Sequence, residues 1–364
     1  METRIVFHID FDYFYAQCEE IRNPDLQSKP VCVCVFSDRG GDSGAIATAN
    51  YTARKFGVKS GLPISFAKKR LEDQKDAVFL PVDFDYYIGI SEKAMEIMKK
   101  HADIFEYVGK DEAYLDVTKE VNYNWGKAEN LAFKIKKEIK KKLNLTCSIG
   151  ISPNRLISKI ASNFQKPNGL TMVLPEKVDE FLAPLKIRDI PGIGRKTEER
   201  FSEMNLQTIR DLKELDVFTL NKEFGRKNGT YLFNSVRGID NEPVKIREPN
   251  LQYSKIVTLK KDSMEFDFLL ENLKQLCNEL HQVVFNKNKM FKSVGIQLVQ
   301  SDLSNKTKSK MLKNPTLNLE ELQKNVEQLL KNALEEQKIP IRRIGVKVSE
   351  LSEIRDQSSI TNYF

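Results

Sequence analysis

The chain has 364 residues, 40% of them hydrophobic, and carries 58 basic and 51 acidic side chains for a net charge of +7. This apolar content supports packed cores and excludes bulk disorder, and the length predicts about two to four domains. The charge excess is modest, and no strongly basic tail carries it, so a polyanion would have to be bound by local patches. No apolar run approaches the roughly 20 residues that span a bilayer, and the N-terminus lacks a signal-peptide core, so we expect a cytoplasmic protein with no membrane partner.

The cysteines and histidines narrow the possible chemistry. Five cysteines form an odd and sparse set, which argues against a disulfide framework. Cys32 and Cys34 lie in an apolar run, where we expect small buried side chains, and no second Cys or His pair completes a zinc site. Three histidines give no His-based triad and no helical zinc motif.

The N-terminal half alternates strand-like and helical patterns. Residues 5–9 predict a buried strand that runs into Asp10, and helical spacing follows as far as Asn23 and Pro24. Further strands are predicted at 31–36, 104–108, 113–117 and 146–151. Further helices are predicted at 48–56, 86–101, 126–143 and 154–164, the 126–143 helix with a solvated lysine face. The alternation predicts sheets covered by helices.

The pattern changes from about residue 174. Short helices broken by proline and glycine predict a small helical module as far as about residue 240. Residues 241–252 contain two prolines and predict a linker. Beyond it, strands at 255–260, 294–299 and 344–348 and helices at about 265–285 and 318–335 predict an α+β domain.

Carboxylates cluster at predicted strand ends. Asp10 and Asp12 end the first strand, while Asp111 and Glu112 lie in a tight link between two later strands. Carboxylate oxygens are ligands that Mg²⁺ prefers, and two such ions about 3.5–4 Å apart can hold the attacking and leaving oxygens of a phosphoryl transfer. Aspartate at a strand end is also a common turn former, so these residues alone leave both interpretations open.

A second set suits phosphate groups. The helix predicted at 48–56 would place Thr48, Tyr51 and Lys55 near one face, with Arg54 beside Tyr51. A hydroxyl, a phenol and a guanidinium can bind a triphosphate, and Arg can do so with two parallel hydrogen bonds. An ordinary polar helix face is the alternative.

Two further segments indicate macromolecular partners. Gly192 and Gly194 precede Arg195 and Lys196 with the spacing of a helix-hairpin-helix motif, whose exposed N–H groups bind DNA phosphates without reading sequence. The alternative there is a plain turn between helices. Near the C-terminus, an apolar set on one face of a helical turn suits a partner's pocket, and the alternative is a tail that folds back. Its members, with the preceding glutamine, are Gln357, Ile360, Tyr363 and Phe364.

These segments together resemble a Y-family DNA polymerase of the archaeal DNA polymerase IV type. The resemblance runs from Val6 to about Ser349, and the tail is similar to a peptide that binds the sliding clamp (PCNA). The segments that carry the resemblance are residues 8–17, 43–51, 53–58, 111–116, 166–169, 191–194 and 341–345.

The resemblance implies an α+β multidomain fold shaped like a right hand. Its palm would contain a mixed sheet with helices, its fingers would be small, and its thumb would be helical with the helix-hairpin-helix. An α+β little finger domain would follow the linker. The implied boundaries are palm 1–13 and 83–173, fingers 14–82, thumb 174–240, linker 241–252, little finger 253–350 and tail 351–364.

The resemblance also implies roles for single residues. It makes Asp10, Asp111, Glu112 and the backbone carbonyl of Phe11 ligands of two Mg²⁺ ions, with Mn²⁺ as a substitute. It makes Tyr15 a steric gate, whose ring leaves no room for a 2′-hydroxyl. The remaining nucleotide contacts would be Tyr13, Phe14, Thr48, Tyr51, Arg54 and Lys166. The DNA contacts would be Gly192, Gly194, Arg195, Lys196, Arg342 and Arg343.

The implied activity is template-directed, error-prone and lesion-bypassing DNA synthesis without proofreading. A dNTP would be added to the primer 3′ end of a primer-template DNA by a monomer in the nucleoid, held to DNA by the sliding clamp. One departure concerns Gly109 and Lys110, where the family has Ser and an apolar residue. A cation at this position could compete with Mg²⁺ or could point into solvent.

Two other classes of protein are considered. A non-catalytic DNA-binding scaffold docked on the clamp would keep Gly192, Gly194 and the tail but lose the carboxylates. A nucleotidyl cyclase would share palm-like chemistry but would need neither the hairpin nor the clamp peptide. The intact set Asp10, Asp111 and Glu112 argues against the scaffold.

Overall fold

The computed structural model describes residues 4–246 and 248–354. The described residues form two compact units: one runs to Val35 and resumes from Ala45 as far as residue 246, and the other contains Phe36–Gly44 and residues 248–354. The predicted clamp-binding residues Gln357, Ile360, Tyr363 and Phe364 lie outside the described residues. Within the described ranges, no helix is both long and apolar enough to cross a membrane.

The described residues form strands in three sheets. The strands are β1 Val6–Phe11, β2 Val31–Phe36, β3 Gly44–Ala49, β4 Val78–Pro81, β5 Ile104–Tyr107, β6 Glu112–Asp116, β7 Cys147–Ser152, β8 Leu170–Met172, β9 Gln252–Ser263, β10 Lys289–Gln300, β11 Asn305–Thr316 and β12 Ile341–Glu353.

The helices either pack on these sheets or form the helical module that lies between β8 and β9 in the sequence. They are α1 Phe14–Arg22, α2 Tyr51–Arg54, α3 Ile64–Arg70, α4 Phe84–Lys99, α5 Trp125–Leu143, α6 Arg155–Phe164, α7 Val178–Leu182, α8 Arg195–Glu203, α9 Ile209–Lys213, α10 Val217–Phe224, α11 Arg226–Ser235, α12 Phe266–Asn286 and α13 Leu319–Leu334.

A five-stranded sheet of order β5-β6-β1-β7-β8 lies at the core of the first unit. The central strand β1 pairs antiparallel with both β6 and β7. Its odd-numbered residues Phe7, Ile9 and Phe11 join the main apolar core with side chains of α4 and α5. Because side chains alternate along a strand, His8 and Asp10 face the other side, where α6 packs.

The predicted solvated lysine face of α5 has an exception. Lys136 is half-buried, and its Nζ donates to the carbonyl oxygens of Cys147 at 2.6 Å and Gly169 at 3.0 Å. Burial lowers the pKa of Lys136. This lysine therefore connects α5 to the start of β7 and to the loop before β8.

A smaller sheet of order β3-β2-β4 holds Cys32 and Cys34 in an apolar cluster. All five cysteines are buried and free, and burial of Cys32 and Cys34 agrees with the prediction made for those two. The helix predicted at 48–56 is wrong at its start, because Thr48 lies in strand β3 and only Tyr51–Arg54 is helical. Pairing of β3 with β2 overrides the local helical pattern, and the prediction also missed β4, α3 and β8.

The helical module from α7 to α11 has its own apolar core. Ile190, Ile193 and Phe201 are among its buried residues, together with Leu156 and Ile157 of α6. The module is helical as predicted, with one isolated β-bridge between Lys186 and Thr208.

The second unit is built on an antiparallel sheet of order β11-β10-β12-β9. Helices α12 and α13 pack on one side of it, and their leucines share a core with Val294, Ile344 and Val346. The polar strand β11 has no apolar run and was not predicted. Within this unit, Arg39 donates to the carbonyl of Leu259 at 2.8 Å and pairs with Asp262.

Candidate active site

The sheet register brings the predicted acidic residues together. Asp10 at the end of β1 lies opposite Glu112 at the start of β6, and the amide of Phe11 donates to the carbonyl of Asp111 at 2.8 Å. Three carboxylates therefore surround one end of β1. Hard carboxylate oxygens at such a point fit a divalent cation. His8 also belongs to this cluster, since one ligand atom from each of His8, Asp10 and Glu112 lies within 4.8 Å of the others.

Lysines neutralise the carboxylates unevenly. Lys166 pairs with Asp10, and Lys159 donates to Glu112 Oε2 at 2.5 Å. Burial raises the pKa of Asp10, while burial and the neighbouring Glu112 charge raise the pKa of Asp111, whose side chain still opens to solvent. Hydrogen bonds from His8 and Lys159 lower the pKa of Glu112 to about 2 against the opposing effect of burial. The site thus concentrates negative charge that a cation would stabilise.

Asp12 holds a loop against the sheet, whereas Asp10 belongs to the carboxylate cluster. It is fully buried and accepts hydrogen bonds from Ser148 Oγ at 2.8 Å and from the amide of Asn168 at 2.9 Å. These bonds fasten the loop 166–169 to the sheet and so place Lys166 beside Asp10. A Cβ on Gly169 would come within 2.3 Å of the Gln165 carbonyl oxygen, so the tight loop requires glycine there.

A cavity of about 340 Å³ opens at the carboxylates. Asp10, Asp111 and Lys166 form one side of it, and Thr48, Arg54 and Ser60 come from the smaller sheet and its connections. Its complete lining is Asp10, Phe11, Tyr13, Phe14, Tyr15, Ala47, Thr48, Arg54, Ser60, Asp111 and Lys166. Most of the residues predicted to hold nucleotide and metal therefore share one cavity, although Tyr51 and Glu112 do not line it.

Asn50 fixes the start of α2. Its side chain accepts from the amides of Val31 and Ala53, both at 3.0 Å, and donates to Glu20 Oε1 at 2.8 Å. Tyr13, which has a left-handed φ of 36°, donates its hydroxyl to the other oxygen of Glu20 at 2.9 Å. The two sides of the cavity are thus tied through one buried glutamate.

Tyr51 presents a polar atom without a partner. Its hydroxyl is buried, and within the described part of the chain it has no hydrogen bond. Burial and the charges of Asp12 and Asp10 raise the pKa of Tyr51 to about 12. The guanidinium of Arg54 lies 4.8 Å from the centre of the Tyr51 ring. A buried orphan donor beside an arginine suits an anionic ligand, because an unsatisfied buried hydroxyl is costly.

Tyr15 lines the cavity and belongs to a group of packed aromatic rings. Its ring stacks on Tyr87 with centroids 4.6 Å apart and meets Phe84 edge-on at 6.1 Å. Phe14 packs at 5.7 Å from the same ring. These contacts restrict the ring to one orientation.

Lys110, the unusual residue before Asp111, is half-buried against an aromatic ring. Its ammonium lies 4.4 Å from the centre of the Phe84 ring, a cation–π contact. Its carbonyl accepts a hydrogen bond from Ser91 at 2.5 Å. The ion pairs with the carboxylates come from Lys159 and Lys166 instead.

The predicted DNA contacts lie in both units. Gly192 has a φ of 87°, and the preceding Pro191 carbonyl accepts from the Tyr231 hydroxyl at 2.6 Å, which secures the hairpin. Gly194 is the N-cap of α8. Gly192, Gly194, Arg195 and Lys196 are all exposed. In the second unit Arg343 is exposed on β12, and Arg342 is half-buried at a shift in the β12–β9 register.

Three residues around Glu112 were not predicted from the sequence. His8, Lys159 and Ser162 contact Glu112 or each other. His8 lies two positions before Asp10 on the same strand face, which was a usable signal. Lys159 and Ser162 lie three apart on α6, and only the packing of α6 on β1 shows their relevance.

Comparison with known proteins decides the family. Residues 9–163 match the model of the impB/mucB/samB family, residues 188–240 match that of the DNA polymerase-iota thumb domain, and residues 251–361 match that of the impB/mucB/samB family C-terminal domain. The chain is 73% identical over its whole length to the complete DNA polymerase IV of Nitrosopumilus maritimus. It is 40% identical, again over 100% of both chains, to DNA polymerase IV of Methanosarcina acetivorans.

Solved structures agree. A Y-family DNA polymerase chimera of Dbh and Dpo4 segments superimposes with a TM-score of 0.88 at 36% identity, covering 96% of this chain and 100% of the chimera. DinB from Sulfolobus solfataricus matches with a TM-score of 0.65 at 36% identity over 95% of this chain and 98% of its own. The chain belongs to the Y family of DNA polymerases.

The protein is therefore a DNA-directed DNA polymerase of the translesion type. The predicted α+β multidomain architecture with a helix-hairpin-helix thumb is confirmed. The scaffold and cyclase alternatives are not favoured, because relatives that match the whole chain are DNA polymerases. Polymerases of this family depend on metal, which agrees with the carboxylate cluster.

Proposed function

We propose that the 340 Å³ cavity binds a dNTP on two Mg²⁺ ions and that the polymerase adds the nucleotide to the primer 3′ end of a primer-template DNA. The observation that carries the proposal is the meeting of Asp10, Asp111, Thr48, Arg54 and Lys166 around one cavity. Carboxylates that suit a cation and polar or basic side chains that suit phosphate, from distant parts of the chain, face the same space there.

The chain offers a matching donor set for the metal. Asp10, Asp111 and Glu112 supply carboxylate oxygens, and the carbonyl of Phe11 lies between them in the chain. When bound, the two ions would neutralise triphosphate charge and stabilise the attacking and leaving oxygens. Mn²⁺ would substitute, since carboxylate and carbonyl oxygens suit it as well.

The remaining residues bind and orient the substrate. Arg54 and Lys166 would pair with triphosphate oxygens, Lys166 leaving its ion pair with Asp10, and the orphan Tyr51 hydroxyl would donate to a phosphate. Thr48 adds a hydroxyl at the cavity wall. Tyr13 and Phe14 would line the nucleotide pocket, with Tyr15 beneath the sugar.

The DNA contacts extend the proposal to both units. The exposed hairpin at Gly192 and Gly194 would bind phosphates through backbone N–H groups, with Arg195 and Lys196 beside it. Arg342 and Arg343 would add contacts from β12. We assign palm, fingers, thumb, linker and little finger to the ranges predicted from the sequence, and we propose a nucleoid-associated monomer that lacks proofreading. Its tail would bind the sliding clamp (PCNA), whose tethering raises the effective concentration of DNA.

Primer extension tests the proposal. With Mg²⁺ and four dNTPs we expect wild-type protein to extend a primer on its template. Asp111→Asn should reduce extension on the order of 1,000-fold, because losing a metal ligand removes several kcal/mol of transition-state stabilisation. The exposed Glu120→Gln is the matched control and should retain wild-type rates. Extension by Asp111→Asn at the wild-type rate would refute the assignment of this site.

A further inference from the structure

We infer that His8 is a positioning residue that orients the Glu112 carboxylate for metal binding through a hydrogen-bonded chain from Ser162. The inference rests on the proposed role of Glu112 as a metal ligand. His8 is completely buried on β1. Its Nδ1 lies 2.7 Å from Ser162 Oγ, and its Nε2 lies 3.0 Å from Glu112 Oε2.

For a neutral imidazole ring, the count of protons gives the direction of the chain. A carboxylate only accepts hydrogen bonds, so the contact with Glu112 requires the hydrogen on Nε2 of His8. The Nδ1 of a neutral ring is then an acceptor, and the Ser162 hydroxyl must supply the proton to it. That hydroxyl also lies 2.9 Å from the carbonyl oxygen of Lys159. When its hydrogen points to His8, the hydrogen bond to this carbonyl is lost.

The chain acts on one carboxylate oxygen only. Nε2 of His8 and Nζ of Lys159 both reach Glu112 Oε2, and no hydrogen bond among the described residues reaches Oε1. Two donors on one oxygen fix the plane of the carboxylate and leave Oε1 for a cation. Partners of this kind orient metal ligands, and their loss typically weakens metal binding about 10–100-fold.

The surrounding packing holds the imidazole ring in this role. The ring lies 4.7 Å from the Tyr114 ring. Gly150 is paired with His8 across β1 and β7, and a Cβ there would come within 2.0 Å of the Ser158 carbonyl oxygen, so glycine lets α6 approach closely enough for Ser162 to reach His8. Both ring nitrogens are engaged, and Mg²⁺ prefers oxygen, so His8 positions a ligand and is not itself one.

Mn²⁺ binding separates this role from simple packing. The full-length protein is assembled with a dideoxy-terminated primer-template and a dNTP, and bound Mn²⁺ is measured by electron paramagnetic resonance. We expect His8→Met, which keeps bulk but loses both nitrogens, to weaken Mn²⁺ binding about 10-fold. His8→Gln, which can place an amide N–H near Nε2, should recover binding to within about 3-fold of wild type. Equal loss in both variants, or none in either, would overturn the inference.

Ser162→Ala tests the hydrogen bond between Ser162 and His8, and it replaces His8→Met as the test if that variant does not fold. It should weaken Mn²⁺ binding in the wild-type background and have no further effect in a His8→Met background, because it acts through His8. Additive losses, or no loss in the wild-type background, would contradict the chain. Asp111→Asn distinguishes the two proposals. If Asp111→Asn leaves Mn²⁺ binding unchanged, the proposed metal site is wrong. If Asp111→Asn weakens Mn²⁺ binding as expected while His8→Met binds Mn²⁺ normally, only the role of His8 is refuted.

Discussion

Aromatic rings on several sides give Tyr15 the rigidity that a steric filter needs. The stack on Tyr87 and the edge contact with Phe84 leave its ring little freedom to move away from a 2′-hydroxyl. Removing the ring should therefore remove the selection against ribonucleotides without removing metal or phosphate contacts.

We expect Tyr15→Ala to lower the preference for dNTP over rNTP about 10-fold or more, which corresponds to about 1.4 kcal/mol. The measurement is the ratio of kcat/KM for single-nucleotide incorporation of a matched dNTP and rNTP. Tyr15→Phe keeps the ring and should keep the preference. Unchanged discrimination in Tyr15→Ala would exclude Tyr15 as the gate.

Tyr51 and Tyr13 form a contrasting pair, because one hydroxyl has no partner and the other donates to Glu20. Tyr51→Phe removes a buried unsatisfied group, so the free energy of unfolding of the nucleotide-free protein should rise by about 1 kcal/mol, while the dNTP dissociation constant should rise about 10-fold. Tyr13→Phe removes the hydroxyl that donates to Glu20 Oε2, while Asn50 still donates to Oε1, and should lower the unfolding free energy by about 1–3 kcal/mol. Denaturant unfolding and nucleotide titration check both, and a destabilised Tyr51→Phe would argue that its hydroxyl already has a partner.

The predictability of single residues depended on their position in secondary structure. Asp10, Asp111 and Glu112 lie at strand ends, where sequence pattern and chemistry coincide. Thr48 could not be placed, because its strand exists only through pairing with β2. Ser162 could not be found either, because its partner His8 is separated from it by most of the first unit's chain.

At the scale of elements, the approach of α6 to the central sheet organises the site. α6 carries Lys159 and Ser162, and the lack of a side chain at Gly150 sets its distance from β7. Periodicity predicted α6 and β7 separately, but no local pattern shows how close they lie.

Gly150→Ala should therefore lower the free energy of unfolding by about 1–3 kcal/mol or more, because the added methyl overlaps the backbone of α6. Gly89→Ala is the matched control within α4: no atom lies within 4 Å of the added carbon, and the unfolding free energy should rise by about 0.5–1 kcal/mol. Thermal or urea unfolding of both variants measures these effects. A neutral Gly150→Ala would mean that α6 can move away from the sheet without loss.

At the scale of the whole molecule, the modest net charge of +7 is compatible with DNA binding. By itself, this charge favours simple solubility over DNA binding as its explanation. In the polymerase, carboxylates account for part of the negative charge and would be offset by bound metal, while the thumb hairpin can hold phosphates through uncharged N–H groups. The order of strands and helices predicted sheets covered by helices, and the resemblance to the Y family implied the α+β multidomain fold and grouped residues 10, 48, 54, 111 and 166 at one site. The cavity that these five residues line is visible only in the tertiary structure.

The most direct test is diffraction at the manganese absorption edge from a crystal of the full chain with Mn²⁺, dideoxy-terminated primer-template and dNTP. We expect two anomalous peaks at the end of β1, within about 2.0–2.3 Å of oxygens of Asp10 and Asp111, with Glu112 on one of them and triphosphate oxygens beside Arg54 and Lys166. Peaks held by phosphates alone, or by residues away from these three carboxylates, would contradict this expectation.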